Sequence, residues 1–139
     1  MDKLNQKERS INMSKIKSKN TKPELFVRKQ LSSYNIRYRC NVKDLPGKPD
    51  IAIKKYKIAL DIKGCFWHGH KNCKNFRYPK SNIEFWKNKI RKNILRDHSN
   101  KKKYDKMNYE YITIWECELK NGSYIDKLNR FMNLINESK

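Results

Sequence analysis

The stretch Pro49-Asp50-Ile51-Ala52-Ile53, followed after a short turn by Ile58-Ala59-Leu60-Asp61-Ile62-Lys63, decides the fold of this chain. Both runs are short, apolar and rich in isoleucine, which predicts two strands joined by a turn over residues 54 to 57. A hairpin brings Asp50, at the front of the first strand, to the same edge as Asp61 and Lys63 at the end of the second. Strand alternation puts Asp61 and Lys63 on one face.

The residues before this hairpin predict a helix and one more strand. Thr21 is suited to cap a helix whose first turn contains Pro23 and Glu24, and the apolar pattern carries that helix to about residues 34 to 35. Residues 36 to 42 alternate like a strand, in which we expect Cys40 to be a buried thiol.

The second half of the chain predicts a helix, a strand and a helix. Residues 81 to 84, Ser-Asn-Ile-Glu, match a capping box, and apolar residues at helical spacing carry a long basic helix to about residue 103. Residues 109 to 115 read as a strand, and an amphipathic helix starts near Tyr124. The order α-β-β-β-α-β-α predicts an α/β fold with one central sheet.

Size and charge narrow the class of protein. The length of 139 residues suits one domain, and 34 Lys and Arg against 14 Asp and Glu leave a net charge of +20. A polyanion such as DNA or RNA is the expected partner, although ribosomal proteins, disordered tails and membrane-surface proteins share this balance. We expect residues 1 to 20 to form a basic arm that contacts DNA, ahead of one domain over residues 21 to 139.

The chain has no apolar run long enough for a membrane span and no signal peptide after its polar start, so we expect a cytosolic protein.

Asp50, Asp61 and Lys63 form a candidate catalytic centre. Two carboxylates suit Mg²⁺, which polarises a phosphate and activates a bound water, while Lys63 orients that water or neutralises developing charge. The alternative is that Asp50 belongs to a turn and that Asp61 and Lys63 are a solvated strand end. An aspartate inside an apolar strand favours the functional interpretation, because burying an uncompensated carboxylate is costly.

A second candidate site lies just after the hairpin. Cys65, His70, Cys73 and Cys117 supply three thiols and one imidazole, which is a closed structural zinc set. The alternatives are unconnected buried thiols, or a zinc site that uses His68.

Three aromatic residues accompany these candidate sites. Phe66 and Trp67 lie inside the same loop, and Trp86 opens the long helix. Phe66 and Trp67 are poorly placed beside the candidate catalytic centre unless they contact a partner, and the alternative for all three residues is that they belong to the core.

Several blocks in the right order carry a family resemblance. The chain resembles the PD-(D/E)xK nuclease superfamily and, within it, the very short patch repair (Vsr) endonucleases. The blocks are Arg9-Ser10-Ile11-Asn12-Met13, Ser18-Lys19-Asn20-Thr21-Lys22-Pro23-Glu24, Asp44-Leu45-Pro46-Gly47-Lys48-Pro49-Asp50, Gly64-Cys65-Phe66-Trp67-His68-Gly69-His70, Glu84-Phe85-Trp86 and Trp115-Glu116-Cys117.

The resemblance implies a restriction-endonuclease-like, three-layer α/β/α domain with a central mixed sheet. It implies a monomeric enzyme that uses Mg²⁺ to nick double-stranded DNA beside the thymine of a T·G mismatch, the product of 5-methylcytosine deamination. Asp50 would bind the metal, Glu24 and His68 would assist the cut, and the four Cys/His positions would hold Zn²⁺. The three aromatic residues would wedge between base pairs. The resemblance also implies a cytoplasmic, nucleoid-associated location, and it is compatible with recruitment by other repair proteins.

The departure from the family lies in Asp61 and Lys63, because familiar members lack this pair and carry a histidine where Lys63 stands. The general superfamily centre is intact here, so a nuclease of other specificity, such as a restriction-type enzyme or a general mismatch nickase, is the second hypothesis. A basic zinc module that only binds nucleic acid is the third.

Overall fold

The computed structural model describes residues 21 to 137. Helix α1 (Lys22–Ser33) is followed by β1 (Arg39–Cys40), β2 (Ile51–Ile53), a 3₁₀ turn (Lys54–Tyr56) and β3 (Ile58–Lys63). The long helix α2 (Ile83–Lys106) leads to β4 (Glu110–Trp115), the short helix α3 (Glu116–Asn121) and the closing helix α4 (Tyr124–Glu137). The predicted arm over residues 1 to 20 lies outside the described residues.

The strands form one mixed sheet in the order β1-β2-β3-β4. The predicted hairpin is confirmed, since β2 and β3 pair antiparallel with Ile51 opposite Leu60, while β3 and β4 pair in parallel from Ile58 opposite Glu110 to Lys63 opposite Trp115. Helix α2 makes this parallel crossover between the strands. The α/β class expected from the sequence is therefore confirmed.

Two groups of buried residues hold the helices against the strands. The larger group joins alternate residues of β2, β3 and β4 to apolar residues of α1 and α4, among them Leu31 and Phe131. The smaller group contains Ala52 and Ala59 of the strands together with Tyr104 of α2. The small alanine side chains leave room for a tyrosine beside the strand positions that carry the catalytic candidates.

Two predicted details, the length of the first strand and the burial of Cys40, were wrong, and one short helix was not predicted. The strand expected over residues 36 to 42 covers only β1, because Asn41 has a left-handed backbone at φ 50° and the partner strand β2 ends at the 3₁₀ turn. Cys40 is exposed rather than buried, since β1 lies at the edge of the sheet. Helix α3 was not expected, because six residues are too few to show a helical period.

The predicted capping box at the start of α2 was also wrong. Asn82 is the N-cap residue, but its backbone is left-handed at φ 56° and its side chain makes no capping hydrogen bond. A capping side chain needs an extended backbone to reach back to the first free N–H groups, so the box does not form. The cap of α1 is confirmed, because the Thr21 hydroxyl accepts a hydrogen bond from the Glu24 N–H.

No helix in the described part of the chain is long and apolar enough to cross a membrane.

Gly69 lets the loop after β3 pack closely on α2. Its φ is +57°, and a Cβ there would lie 2.7 Å from Ile94 Cδ1 and 2.8 Å from Ile90 Cγ2. The neighbouring residues His68 and His70 are candidate site residues, so this close approach sets the position of both.

We expect Gly69→Ala to lower the free energy of unfolding, measured by urea denaturation, by at least about 1 kcal/mol more than Gly122→Ala does. Gly122 is also left-handed, at φ +87°, but a Cβ added there would meet no atom within 4 Å, so that variant carries the backbone strain without the clash. An equal loss of unfolding free energy in the two variants would show that the loop can move away from α2 at little cost.

Candidate active site and metal cluster

The two aspartates of the hairpin face each other across β2 and β3. The Asp50 N–H donates to Asp61 Oδ1 at 2.9 Å, and the Ile62 N–H donates to Asp50 Oδ2 at 2.7 Å. Each carboxylate is thus held by the backbone of the opposite strand, so the hairpin register itself orients both side chains.

The electrostatics of this pair oppose its double ionisation. Burial raises the pKa of Asp50 to about 8, and the nearby charges of Asp61 and Glu24 act in the same direction. Burial also raises the pKa of Asp61, against the effect of a hydrogen bond from Tyr111. Two partly buried carboxylates this close favour a proton or a cation between them. The chemistry of the donors therefore fits a hard divalent ion such as Mg²⁺.

Glu24 approaches this pair from α1. Its side chain is only 5 % exposed and forms an ion pair with Arg28 one turn later, at 3.4 Å. It lies in the first turn of its helix, where the positive helix end favours a carboxylate.

Lys63 and His68 share one carboxylate on α2. Lys63 Nζ lies 3.6 Å from Asp97 Oδ1, and His68 Nδ1 lies 2.8 Å from Asp97 Oδ2. Burial acts to raise the pKa of Asp97, but the hydrogen bond and charge of His68, with the charge of Lys63, outweigh it and lower that pKa. An ionised Asp97 accepts a hydrogen bond from the Nδ1–H group, which leaves His68 Nε2 available for other chemistry.

One open pocket of about 460 Å³ contains all five predicted catalytic residues. Its lining also includes further polar and charged residues that were not predicted to be catalytic. The predicted residues are Glu24, Asp50, Asp61, Lys63 and His68; the additional ones include Asn41, Lys48, Asn93, Arg96, Asp97 and Asn100.

The four predicted metal ligands also come together. The ligand atoms of Cys65, His70, Cys73 and Cys117 all lie within 4.8 Å of one another. Neighbouring thiolates of a tetrahedral zinc site lie about 3.8 Å apart, given Zn–S bonds of about 2.3 Å. This cluster is thus compact enough to hold a metal ion. His68 is not part of it, and Cys117 lies in α3 rather than in the preceding strand.

The sheet register explains how distant cysteines meet. Lys63 and Trp115 are paired neighbours at the ends of β3 and β4, and Cys65 and Cys117 each follow two residues later. The His70 ring stacks on Trp115 with centroids 3.9 Å apart. Burial raises the pKa of Cys65 to about 12, so a bound cation would be needed to keep this thiol ionised.

The predicted aromatic residues form one surface group beside the pocket. Ring centroids lie 5.3 Å apart for Phe66 and Trp67, 5.4 Å for Phe66 and Trp86, and 5.7 Å for the two tryptophans. Trp67 is 39 % exposed, and Phe85, which the sequence analysis left without a role, is 58 % exposed beside Trp86. None of these four residues belongs to either buried core group of the described chain.

Comparison with known proteins assigns the chain to a family. The family model described as "DNA mismatch endonuclease Vsr" matches residues 1 to 75. A "Type II nicking enzyme V.NmeAIP" of Neisseria meningitidis is 47% identical over 94% of this chain and 93% of its own length. This chain belongs to the Vsr family of DNA endonucleases. It is thus an endodeoxyribonuclease.

Two further relatives span most of this Vsr-family chain. "Type II nicking enzyme V.XorIIP" of Xanthomonas oryzae is 36% identical over 99% of the chain and 98% of its own length. "DNA mismatch endonuclease Vsr" of Escherichia coli is 33% identical over 81% of the chain and 71% of its own length.

Asp97 is the main site residue that sequence analysis of this Vsr-family chain missed. It follows Ile90 by seven residues and Ile94 by three, so it shares the helix face that packs toward the sheet and the loop. An acidic residue on that face of a strongly basic helix was the available signal. Its two partners come from β3 and the following loop, which no helical spacing reveals.

We expect purified protein to carry a stoichiometric, tightly bound metal ion, and Cys73→Ala to lose most of it in elemental analysis, because a site of four ligands becomes one of three. Cys40→Ala is the matched control, since Cys40 is exposed and outside the cluster. Full metal content in the Cys73 variant would exclude this cluster as the binding site.

Proposed function

We propose that this Vsr-family endonuclease uses Mg²⁺ to nick double-stranded DNA beside the thymine of a T·G mismatch, as the incision step in very short patch repair of deaminated 5-methylcytosine. The observation that carries the proposal is the facing pair Asp50 and Asp61, with Lys63 and His68 in the same pocket and an exposed aromatic group beside it. The matching family model and the nicking enzymes among its relatives support the choice of mismatched DNA and of a single-strand cut.

Asp50 and Asp61 would hold the Mg²⁺. Asp50 Oδ2 and Asp61 Oδ1 are oriented by backbone N–H groups, and each carboxylate oxygen keeps a lone pair that can face a cation. When bound, Mg²⁺ polarises the scissile phosphate and lowers the pKa of an attacking water. The carboxylates compensate the charge of that ion, which is why they tolerate burial beside Glu24.

Lys63 and His68 would act on the reacting phosphate. The Lys63 ammonium neutralises the charge that develops on the phosphate oxygens as water adds to phosphorus and one P–O bond to the sugar breaks. His68 lines the same pocket, and its Nε2 exchanges a proton with the water or the leaving oxygen. Asp97 fixes both groups from α2, which makes it a positioning residue.

The aromatic group would read the mismatch. Inserting Phe66, Trp67 or Trp86 between base pairs costs a few kcal/mol of unstacking, and a mispaired step lowers that cost. Phe66, Trp67 and His68 all lie between Cys65 and His70. A Zn²⁺ held by Cys65, His70, Cys73 and Cys117 would therefore fix the loop that contains these three residues to the end of the sheet.

The remaining expectations concern the whole molecule. Core contacts of α1 and α4 with one set of strand residues, and of α2 with the other, support a three-layer, restriction-endonuclease-like domain. We propose a monomer in the bacterial cytoplasm, associated with the nucleoid through its charge of +20 and through the basic arm over residues 1 to 20.

A second candidate function is a PD-(D/E)xK nuclease of other specificity, either restriction-type or a general mismatch nickase. The observation that favours it is the presence of both Asp61 and Lys63, which with Asp50 supply the general superfamily centre. Target choice distinguishes the two functions.

The decisive test is cleavage of end-labelled duplexes that carry T·G, G·C or A·T at one position, in Mg²⁺ or EDTA. We expect nicking only beside the T·G thymine, abolished by EDTA and reduced at least about 100-fold in Asp50→Asn, since metal activation contributes several kcal/mol. The asparagine keeps an oxygen that can accept from the Ile62 N–H, so DNA binding in a gel-shift assay should persist. Mg²⁺-dependent cutting of every duplex would favour the second function, and binding without cutting would refute both.

We expect Asp97→Asn to slow single-turnover nicking by about 10- to 100-fold without weakening DNA binding, because it no longer fixes the His68 tautomer. In a His68→Ala background the same change should cost much less, since residues that act as a unit are not additive. Fully additive losses would mean that Asp97 does not act through His68.

A further inference from the structure

We propose that Tyr111 of β4 is a positioning residue that orients Asp61 and Lys63 for metal binding and cleavage. This inference rests on the proposed function of the Asp50 and Asp61 pair. Neither the family resemblance nor the motifs of the sequence point to Tyr111, which lies in the last strand of the sheet, 50 residues after Asp61.

The first observation is a hydrogen bond to a candidate metal ligand. The Tyr111 hydroxyl donates to Asp61 Oδ2, while the Asp50 N–H donates to Oδ1 of the same carboxylate. Both oxygens of Asp61 are therefore held, one from each neighbouring strand, and the carboxylate cannot rotate about its last bond without losing a donor. One lone pair on each oxygen stays available to a cation.

The second observation concerns Lys63, whose side chain is only 8 % exposed. Its Nζ lies 5.2 Å from the centre of the Tyr111 ring and 3.6 Å from Asp97 Oδ1. A ring face attracts an ammonium group at this distance, and the attraction strengthens where water is excluded. Tyr111 thus contacts the acidic and the basic member of the catalytic centre at once.

The third observation is that Tyr111 is itself held in place. Its ring stacks on Tyr104 of α2, with centroids 4.7 Å apart and planes 10° apart. The fully buried Tyr104 donates a hydrogen bond from its hydroxyl to the Pro46 carbonyl at 2.5 Å, in the turn that leads to Asp50. The stacked pair therefore ties α2 and the turn before Asp50 to the residue that holds Asp61.

The hydroxyl is what separates this role from simple packing. A phenylalanine would fill the same space and stack equally on Tyr104, but it would leave Asp61 Oδ2 without its donor. Burial raises the pKa of Tyr111, which favours the protonated hydroxyl that donates to Asp61.

The test compares Tyr111→Phe with the wild type and with Tyr109→Phe in metal binding without DNA. Tyr109 is a partly buried tyrosine next to Tyr104, with ring centroids 5.8 Å apart, and it lies outside the pocket. Mn²⁺ is titrated into zinc-loaded protein, and the electron paramagnetic resonance signal of free Mn²⁺ reports binding. We expect the Mn²⁺ dissociation constant of Tyr111→Phe to rise about 10- to 100-fold, the usual effect of losing a group that orients a ligand, and that of Tyr109→Phe to stay unchanged.

Asp61→Asn supplies the second arm of the experiment. In this background Tyr111→Phe should change Mn²⁺ affinity less than about twofold, because the carboxylate that the hydroxyl orients is gone. The concentration of Mg²⁺ that gives half-maximal nicking should follow the same pattern.

Wild-type Mn²⁺ affinity in Tyr111→Phe, or an equal loss in both backgrounds, would overturn the positioning role while leaving the proposed function intact. A wild-type protein that neither binds Mn²⁺ nor needs Mg²⁺ to nick would overturn the proposed metal site and this inference together.

Discussion

The parallel pairing of β3 with β4 sets the geometry on which the rest of the molecule depends. Its register places Tyr111 within reach of Asp61 and ends with Lys63 beside Trp115, so that Cys65 and Cys117 leave the sheet at neighbouring points. A shift of one residue would move every side chain of β3 to the opposite face of the sheet. Asp61 would then lose its contact with Tyr111, and the cysteines of the candidate metal cluster would separate at the same time.

Burial of charge in a strongly basic protein is the second organising constraint. Residues Glu24, Asp50, Asp61 and Asp97 converge on one pocket although the chain has few acidic residues. Burying them is unfavourable unless cations or hydrogen-bond donors compensate, and the structure supplies backbone N–H groups, Lys63 and the tyrosine hydroxyl. The compensation is incomplete at the facing pair, because burial still raises the pKa of both Asp50 and Asp61.

The loop from Cys65 to His70 couples the two candidate sites. It contains the aromatic residues Phe66 and Trp67 and the catalytic candidate His68, with potential metal ligands at both ends. Asn93 of α2 donates to the Trp67 carbonyl at 2.7 Å, and Gly69 allows the loop to lie against the same helix. The position of His68 therefore depends both on the candidate metal ligands at the ends of the loop and on the packing of the loop against α2.

By itself, the sequence determined the α/β class, the hairpin that pairs Asp50 with Asp61, the Cys/His set and the aromatic group, because hydrophobic period and local motifs specify strands, helices and donor types. The short elements were not predicted correctly, because β1 ends at the left-handed Asn41 and α3 has too few residues to show a helical period. Only the tertiary structure decided that Asp97 joins Lys63 to His68 and that Tyr111 holds Asp61. Those contacts cross between elements 29 to 50 residues apart, and the parallel register and helix packing that create them leave no local pattern in the chain.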